Sequence, residues 1–292
     1  MDKIRNGFRE LSSEIDAIRT MEMDEFDKEM YTPTLKASFT KCYDYCVSLE
    51  KFEKEDSFFI IPFLRGICED IICLKFLSKN IPDLKERGTV VSNYMWYLQY
   101  TSIKAQQNFF SKTITDQVSI EVKEIDNYIS EKENELKIFW ASKGQNPNKI
   151  FPSVQHMAID AKLINLYEFL YHATSKMVHF SPNVLMRLGW YEKEVENPEI
   201  IFNLINFNEY YYAFNNFYGP YLFVEFAKSF KKEFKLSKHF KDTIKYIEVE
   251  LVKQEFYPEL VTFEEMNLKR PNGFYDHLIR FAKKMEREKN NS

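Results

Sequence analysis

Residues 58–77, FFIIPFLRGICEDIICLKFL, form the most apolar stretch of this 292-residue chain and decide its fold class. The apolar residues recur at spacings of three and four, which is the period of an α-helix. They cover nearly the whole circumference, so we predict a helix from about 57 to 78 at the centre of a bundle. Four charged residues make the stretch a poor membrane span: Arg65, Glu69, Asp70 and Lys75.

The rest of the chain carries the same helical period, and alternating strand patterns are nearly absent. The pattern predicts further helices at about 2–30, 32–53, 82–110 and 117–142, then a short helix that begins after Ser153 and a longer one to about 180, with later ones starting near 207, 238 and 274. The predicted fold class is therefore all-α. We expect an N-terminal helix, a multi-helix bundle core and an aromatic-rich C-terminal helical extension, over residues 1–30, 31–190 and 191–292.

Short polar and glycine–proline motifs predict where these helices begin and break. We expect helices to start at three signals: Thr32-Pro33, Pro82-Asp83 with Glu86 three residues on, and Ser153. The segment Gly144–Pro152 predicts a loop. Gly219-Pro220 predicts an interruption of the aromatic helix, and Arg270-Pro271-Asn272-Gly273 predicts a turn before the last helix.

The composition narrows the classes of function. The 40 lysine and arginine residues are balanced by 44 aspartate and glutamate residues, so the chain has no overall attraction for nucleic acid. Only 7 glycines occur, and none of them forms a glycine-rich phosphate loop. The 4 cysteines fit free thiols in a reducing compartment, and no apolar signal segment opens the chain. We therefore expect a cytoplasmic protein that makes no contact with a membrane.

The first candidate for chemistry is an ion pair on the apolar helix. Arg65 and Glu69 are four residues apart and share a face with Ile61, Ile72 and Phe76, so the pair is expected to be partly buried. One interpretation is a structural salt bridge that sets the helix register, because desolvation offsets most of the Coulombic gain of a buried pair. The other interpretation is a site in which Arg65 holds an anion.

The second candidate is the predicted helix that ends near residue 180. One side is an apolar stripe of Leu166, Phe169, Leu170, Ala173 and Met177. The opposite side carries Glu168, His172, Ser175 and His179. Apolar residues flank this polar stripe, which favours an arrangement in which both sides are covered and the histidines face a cleft or a neighbouring helix. Two histidines seven residues apart on one face can share a metal, or one can act as a general base; structural histidines are the alternative.

These two segments resemble an uncharacterised bacterial family. Residues 63–70, FLRGICED, and 167–182, YEFLYHATSKMVHFSP, are similar to domain-of-unknown-function family 5677. The shared pattern is an Arg followed four residues later by Glu, and then a Tyr–Ser–His helix that ends in a Ser-Pro turn. The resemblance covers about residues 30–190 and implies a helical bundle without a settled activity.

The arginine and histidine also resemble the site of the helical HEPN ribonucleases of toxin–antitoxin, phage-defence and abortive-infection systems. Those enzymes cleave RNA without a metal, using an Arg and a His close together on one helix. In those enzymes the two residues are four to six positions apart. No arginine lies at that distance before His179, and Pro271 interrupts the single helix that Arg270 and His277 would have to share. The resemblance implies that His179 deprotonates a ribose hydroxyl while Arg65 stabilises the phosphorane, provided that the fold brings them together.

Two further groups of residues can each be interpreted in two ways. Lys228, Lys231, Lys235 and Lys238 recur at spacings of three and four, so a continuous helix would align them to neutralise phosphates. The alternative is a solvated face whose lysine stems cover neighbouring phenylalanines. The four cysteines lie on neighbouring apolar helices, which favours buried thiols over a zinc site. We expect neither a metal nor a cofactor.

Together these patterns lead to one main functional hypothesis. We expect a bacterial effector or accessory protein of defence type that acts on RNA through Arg65, Glu69, His172, Ser175 and His179. The expected partners are RNA and either a second copy of the chain or a defence-system protein. One alternative is a non-catalytic interaction module. Another is a helical bundle that binds a small ligand in a pocket lined by Tyr210-Tyr211-Tyr212 and Tyr218.

Overall fold

The computed structural model describes residues 2–26, 28–113, 122–190, 201–254 and 257–259, with the single positions 283 and 287. The predicted turn at 270–273 lies outside these residues, as does nearly all of the predicted helix at 274–289. The described part of the chain is predominantly helical, which confirms the all-α prediction. The one sheet among these residues is a two-residue antiparallel ladder, in which Gly189 pairs with Phe202 and Trp190 pairs with Ile201.

The helices of the described residues occur in the following order along the chain. They are α1 (Asp2–Glu10), α2 (Ser12–Arg19), α3 (Met23–Phe26), α4 (Tyr31–Ser48), α5 (Ser57–Asn80), α6 (Leu84–Thr113), α7 (Ile125–Ser142), α8 (Val154–Asp160), α9 (Ile164–Leu166), α10 (His172–Val178), α11 (Pro182–Met186), α12 (Asn208–Ser229) and α13 (Lys238–Val252). A π-helical turn, Tyr167–Tyr171, joins α9 to α10, and the ladder consists of β1 (Gly189–Trp190) and β2 (Ile201–Phe202).

The chain forms two compact units, each assembled from separate segments. The first unit contains residues 1–14, 41–69 and 165–292, and the second contains residues 15–40 and 70–164. The division into domains at about residues 30 and 190 stays a prediction. No helix among the described residues combines the length and the apolar character that crossing a bilayer requires.

Local capping chemistry explains the helix starts that were predicted correctly. The Asp83 carboxylate accepts the Glu86 N–H at 2.7 Å, so α6 begins at Leu84. Ser153 Oγ accepts the His156 N–H at 3.3 Å and caps α8. At α4 the cap was predicted wrongly: the carboxylate of Glu29, rather than Thr32, accepts the first backbone N–H groups of the helix.

The predicted N-terminal helix over residues 2–30 is replaced by three short helices, α1 to α3. The break between α1 and α2 falls at Leu11, whose N–H is shared between the carbonyls of Gly7 and Phe8 at 3.3 and 3.2 Å. Leu11 and Ile15 are both fully buried, so the apolar spacing that predicted a helix is real. Periodicity of this kind shows which residues are buried, but it does not show where the helix is interrupted.

The first unit has an aromatic core in which α12 is the central contributor. Phe8 of α1 packs against Phe223 of α12 with ring centroids 5.0 Å apart, and Tyr43 donates a hydrogen bond to the Phe8 carbonyl at 2.9 Å. The predicted interruption at Gly219-Pro220 is wrong, because α12 runs through both residues. A Cβ at position 219 would lie 2.8 Å from Tyr45 Cε1, so the glycine allows a close ring contact within an intact helix.

The helix α5 lies at the centre of the fold along much of its length, as predicted, but not around its whole circumference. Leu64, Ile71 and Ile72 are fully buried. Phe59 and Phe63 are 59% and 60% exposed, so the nearly continuous apolar surface that predicted a central helix is not covered on every side. These two phenylalanines are four residues apart and therefore form one exposed strip on the helix surface.

The second unit is organised around Trp140 of α7. The indole ring is 5.7 Å from the ring of Phe76 and 5.1 Å from that of Phe151, and it is buried. The loop at Gly144–Pro152 was predicted correctly, and Gly144 has a φ of +73°, a conformation that favours glycine.

We predict a pH-dependent stabilisation of the second unit by the carboxylate of Asp160. It accepts hydrogen bonds from Lys79 Nζ at 2.9 Å and Asn80 Nδ2 at 2.5 Å, and the lysine contact is the main reason that its pKa is lowered. A lowered pKa in the folded state stabilises the fold above the unfolded pKa, and this contribution is lost as the pH falls through the folded value.

Replacing Asp160 with Asn should therefore lower the free energy of unfolding by about 1 kcal/mol at pH 7, and by progressively less below about pH 4. Urea unfolding at pH 7 and at a pH below about 4, followed by circular dichroism, measures the difference. Asp242→Asn, at an exposed position of α13, serves as the matched control and should stay within about 0.5 kcal/mol of the unmodified chain. A deficit for Asp160→Asn that does not change with pH would contradict the assignment.

Candidate functional site

Arg65, in the middle of α5, is the centre of a polar cluster within the first unit. Its Nε donates a hydrogen bond to Ser175 Oγ at 2.9 Å, and its Nη2 donates to the Tyr171 hydroxyl at 3.0 Å. The guanidinium carbon also lies 5.0 Å from the centroid of the Tyr171 ring, within the range of a cation–π contact. One arginine therefore makes contact with two residues that follow it by more than a hundred positions.

Glu69 completes what we call the Arg65 cluster: Arg65, Glu69, Tyr171 and Ser175. The predicted ion pair between Arg65 and Glu69 is present, with Nη2 and Oε2 3.8 Å apart, and both side chains are partly exposed, at 27% and 37%. This distance is longer than the two hydrogen bonds to Tyr171 and Ser175. The guanidinium is therefore oriented mainly by those two residues, while Glu69 compensates its charge from the same helix.

The backbone reason for this geometry is the π-helical turn that precedes α10. A π-helical turn adds one residue to the helical repeat and so changes the direction of the side chains that follow. Tyr167 and Tyr171, at the two ends of the turn, stack with centroids 5.0 Å apart and an interplanar angle of 20°. Tyr171 and Ser175 are four residues apart and both face Arg65. No role was predicted for Tyr171, although its spacing of four residues to Ser175 was a usable signal.

The two histidines lie on either side of this contact and are both exposed. His172 packs edge-on against Tyr167, with ring centroids 4.8 Å apart. His179 follows the last residue of α10, and its backbone N–H still donates to the Ser175 carbonyl at 3.1 Å. Glu168, His172 and His179 are exposed, so the predicted cover by a neighbouring helix is wrong for them, while Ser175 is half-buried against Arg65.

The structure brings the predicted residues together to different degrees. Arg65, Glu69 and Ser175 are in direct contact. His179 lies four residues after Ser175 and directly follows the last residue of α10, with an extended backbone. Lys176, the residue after Ser175, and Arg187 line a cavity of about 70 Å³ with Tyr210 and Tyr211. This cavity is therefore lined by cationic as well as aromatic side chains.

The predicted lysine stripe is not continuous. The helix α12 ends at Ser229, and Lys235 adopts a left-handed conformation with a φ of +49°, so no single helix aligns the four lysines. Lys228 forms ion pairs with Glu225 at 3.7 Å and with Glu248. Lys231, Lys235 and Lys238 are exposed, and their contact with nucleic acid stays a prediction.

The cysteines lie mostly inside the protein. Cys42, Cys46 and Cys68 are buried and Cys73 is half-buried. Burial raises the pKa of the Cys46 thiol, which keeps it protonated and therefore a poor metal ligand. Among the residues that the structure describes, no three His, Cys, Asp or Glu side chains are arranged to hold a metal ion.

Comparison with known proteins identifies a family for this segment. A family model, described as a family of unknown function (DUF5677), matches residues 47–197. The match confirms the resemblance predicted from the two motifs. It contains the whole Arg65 cluster and both histidines, and it ends before the four lysines of residues 228–238. No curated protein and no solved structure shows significant similarity to the chain.

Proposed function

The chain belongs to the DUF5677 family, whose function is unknown, and we propose that it is a defence-type effector that cleaves RNA without a metal ion. The observation that supports the proposal is the hydrogen bond from Arg65 Nε to Ser175 Oγ, because Ser175 lies four residues before His179, which directly follows α10. A cation and a candidate base beside each other are what the reaction requires. Both residues lie within the segment that the family shares.

The proposed reaction is attack by a ribose 2′-hydroxyl on the adjacent phosphate. The exposed imidazole of His179 takes the proton from the 2′-oxygen, which then bonds to phosphorus. The Arg65 guanidinium stabilises the negative charge that develops on the phosphorane oxygens. The bond to the 5′-oxygen breaks, and that oxygen takes a proton from water. The products are one RNA end with a 2′,3′-cyclic phosphate and one with a 5′-hydroxyl.

The remaining residues of the Arg65 cluster have positioning roles in this proposal. Tyr171 and Ser175 accept hydrogen bonds from two different nitrogens of the guanidinium and so hold its plane in one orientation. Glu69 balances its charge in the absence of RNA, at a distance that a phosphate can compete with. Lys176, the residue after Ser175, and Arg187, which lines a cavity together with Lys176, supply further positive charge for the RNA backbone.

The test is cleavage of end-labelled single-stranded RNA by the purified full chain in the presence of EDTA. We expect products with 2′,3′-cyclic phosphate ends, and a rate at least about 100-fold lower for His179→Ala, because general base catalysis contributes 10²–10⁴-fold. His239→Ala is the matched control, since His239 is also exposed but lies on α13. Cleavage by His179→Ala at the rate of the unmodified chain would overturn the proposal, and so would intact RNA in every sample.

Growth of bacteria that express the chain provides a second readout. Induction should arrest growth for the unmodified chain and for His239→Ala, but not for His179→Ala at equal soluble yield. The alternative function, a non-catalytic interaction module, has its own support in the geometry, because Arg65 already has three partners within the protein. That alternative predicts that growth arrest, or binding to a partner protein, does not depend on His179. It also predicts that no RNA is cleaved.

A further inference from the structure

The first unit contains a cavity of about 370 Å³ whose walls are mainly apolar and include several aromatic rings. The rings come from the π-helical turn, from α12 and from the segment after α13: Phe169, Phe217, Tyr218, Tyr221 and Tyr257. A volume of this size falls in the range of sites for small organic molecules. Apart from Phe169, these rings lie outside the segment matched by the family, so the cavity is a feature separate from the Arg65 cluster.

The aromatic walls are held in place by contacts among themselves. Phe169 lies 5.4 Å from Tyr218, and Phe217 lies 5.0 Å from Tyr257. The Tyr218 hydroxyl donates to the Pro258 carbonyl at 2.6 Å, which ties the segment after α13 to the wall. The rings are therefore arranged before any ligand arrives, which reduces the entropy lost on binding.

The charged groups of the cavity have one sign. Two carboxylates, Glu225 and Glu248, belong to its lining, and the described lining contains no lysine or arginine. Lys228 forms ion pairs with both carboxylates from outside this lining. Among the residues that the structure describes, one ammonium group, that of Lys228, therefore faces the two negative charges of this pair.

We infer that this cavity binds an organic monocation with an apolar body, such as a substituted ammonium compound. The aromatic faces attract a cation through their quadrupoles, and the glutamates supply the opposite charge at the edge of the cavity. Burial, with a contribution from the nearby glutamates, raises the pKa of Tyr221, in agreement with a negative potential in this region. The inference does not depend on the proposed RNA chemistry, because it uses different residues.

The test measures binding of benzyltrimethylammonium and of its uncharged carbon analogue, neopentylbenzene, to the full chain. The two probes have the same shape, so the ratio of their affinities isolates the charge. We expect the cation to bind at least about tenfold more tightly than the hydrocarbon, as measured by calorimetry and by competition. Equal affinities, or no binding of either probe, would overturn the inference.

Lys228 provides a sharper test, because it competes with the ligand for the two carboxylates. Lys228→Met should strengthen binding of benzyltrimethylammonium by about tenfold and leave neopentylbenzene unchanged. Lys231→Met, which removes an exposed lysine three residues away, is the matched control and should have no effect.

Glu225→Gln combined with Glu248→Gln should weaken binding of the cation by about tenfold or more. Unfolding curves confirm that each variant is folded, and the Lys228 variant keeps the inference testable if the double glutamine variant is not. A Lys228→Met variant that binds the cation no more tightly than the unmodified chain would contradict the assignment of Glu225 and Glu248 as its partners.

Discussion

Replacing Asn215 with Asp should lower the free energy of unfolding by about 3–5 kcal/mol at pH 8, because it leaves a charge buried without a partner. Asn215 is fully buried in α12. Its Oδ1 accepts a hydrogen bond from the Tyr45 hydroxyl at 2.9 Å, and its Nδ2 donates to the Ser57 carbonyl at 2.8 Å. Aspartate has the same shape but no donor, so its second oxygen would face the carbonyl of Ser57.

The loss should depend on pH in a direction that identifies its cause. Burial raises the pKa of a carboxyl group, so the new Asp is neutral in the folded state at a pH where it is ionised in the unfolded state. Below the unfolded pKa of about 3.9 both states are protonated, and the neutral acid can still donate to the Ser57 carbonyl. Stability relative to the unmodified chain should then fall by about 1.4 kcal/mol per pH unit until the folded pKa is reached.

Urea unfolding at pH 4.5 and pH 8 tests this expectation. Asn108→Asp is the control, because Asn108 is exposed on α6 and the same change of charge there should cost less than about 0.5 kcal/mol. Tyr45→Phe, which removes only one hydrogen bond of the network, should cost about 1–2 kcal/mol at both pH values. A deficit below 1 kcal/mol for Asn215→Asp, or one that is the same at both pH values, would show that position 215 tolerates the charge.

The network around Asn215 shows the limit of what local sequence patterns can predict. The starts of α6 and α8 were predicted correctly, because Asp83 and Ser153 act on backbone groups only three residues away. Tyr45 and Asn215 are 170 residues apart, and nothing in the sequence near either residue indicates the other. The error at Gly219-Pro220 has the same origin, since the nearby ring of Tyr45 gives the glycine a packing role that its local context does not indicate.

The candidate site shows the same difference between contacts that are local in sequence and contacts between distant residues. The pairing of Arg65 with Glu69 was predictable because both residues lie on one helix at a spacing of four. The contacts of Arg65 with Tyr171 and Ser175 join α5 to the region of α10, across 106 and 110 positions. The two faces of α10 were predicted correctly as apolar and polar, but the exposure of His172 and His179 depends on what neighbouring elements leave uncovered.

The predicted alignment of the four lysines on one helix face is wrong, and the reason is again physical. Their spacing of three and four has meaning only on one continuous helix, and that helix ends at Ser229. The left-handed backbone at Lys235 then changes the direction of the chain before α13 begins. A regular spacing is therefore weak evidence for a shared face unless the residues between also favour an uninterrupted helix.

Replacing Arg65 with Lys should lower the rate of RNA cleavage at least about 100-fold, although the positive charge is kept. The guanidinium donates to Tyr171 and Ser175 through two different nitrogens. A planar fork can keep these two bonds and still present donors to a phosphate, whereas a single ammonium group cannot do both. The loss should appear in kcat more than in KM, because the charge that attracts RNA remains while the orientation needed in the transition state is lost.

Two further variants separate orientation from charge. Ser175→Ala and Tyr171→Phe each remove one hydrogen bond to the guanidinium, so each should cost about 3–10-fold, which corresponds to the 0.5–1.5 kcal/mol of one bond. Arg9→Lys is the matched control, because Arg9 is largely exposed and pairs with Glu50 on another part of the first unit. If Arg65→Lys cleaved RNA as fast as Arg9→Lys, charge alone would suffice, and the hydrogen bonds of Arg65 to Tyr171 and Ser175 would have only a structural role.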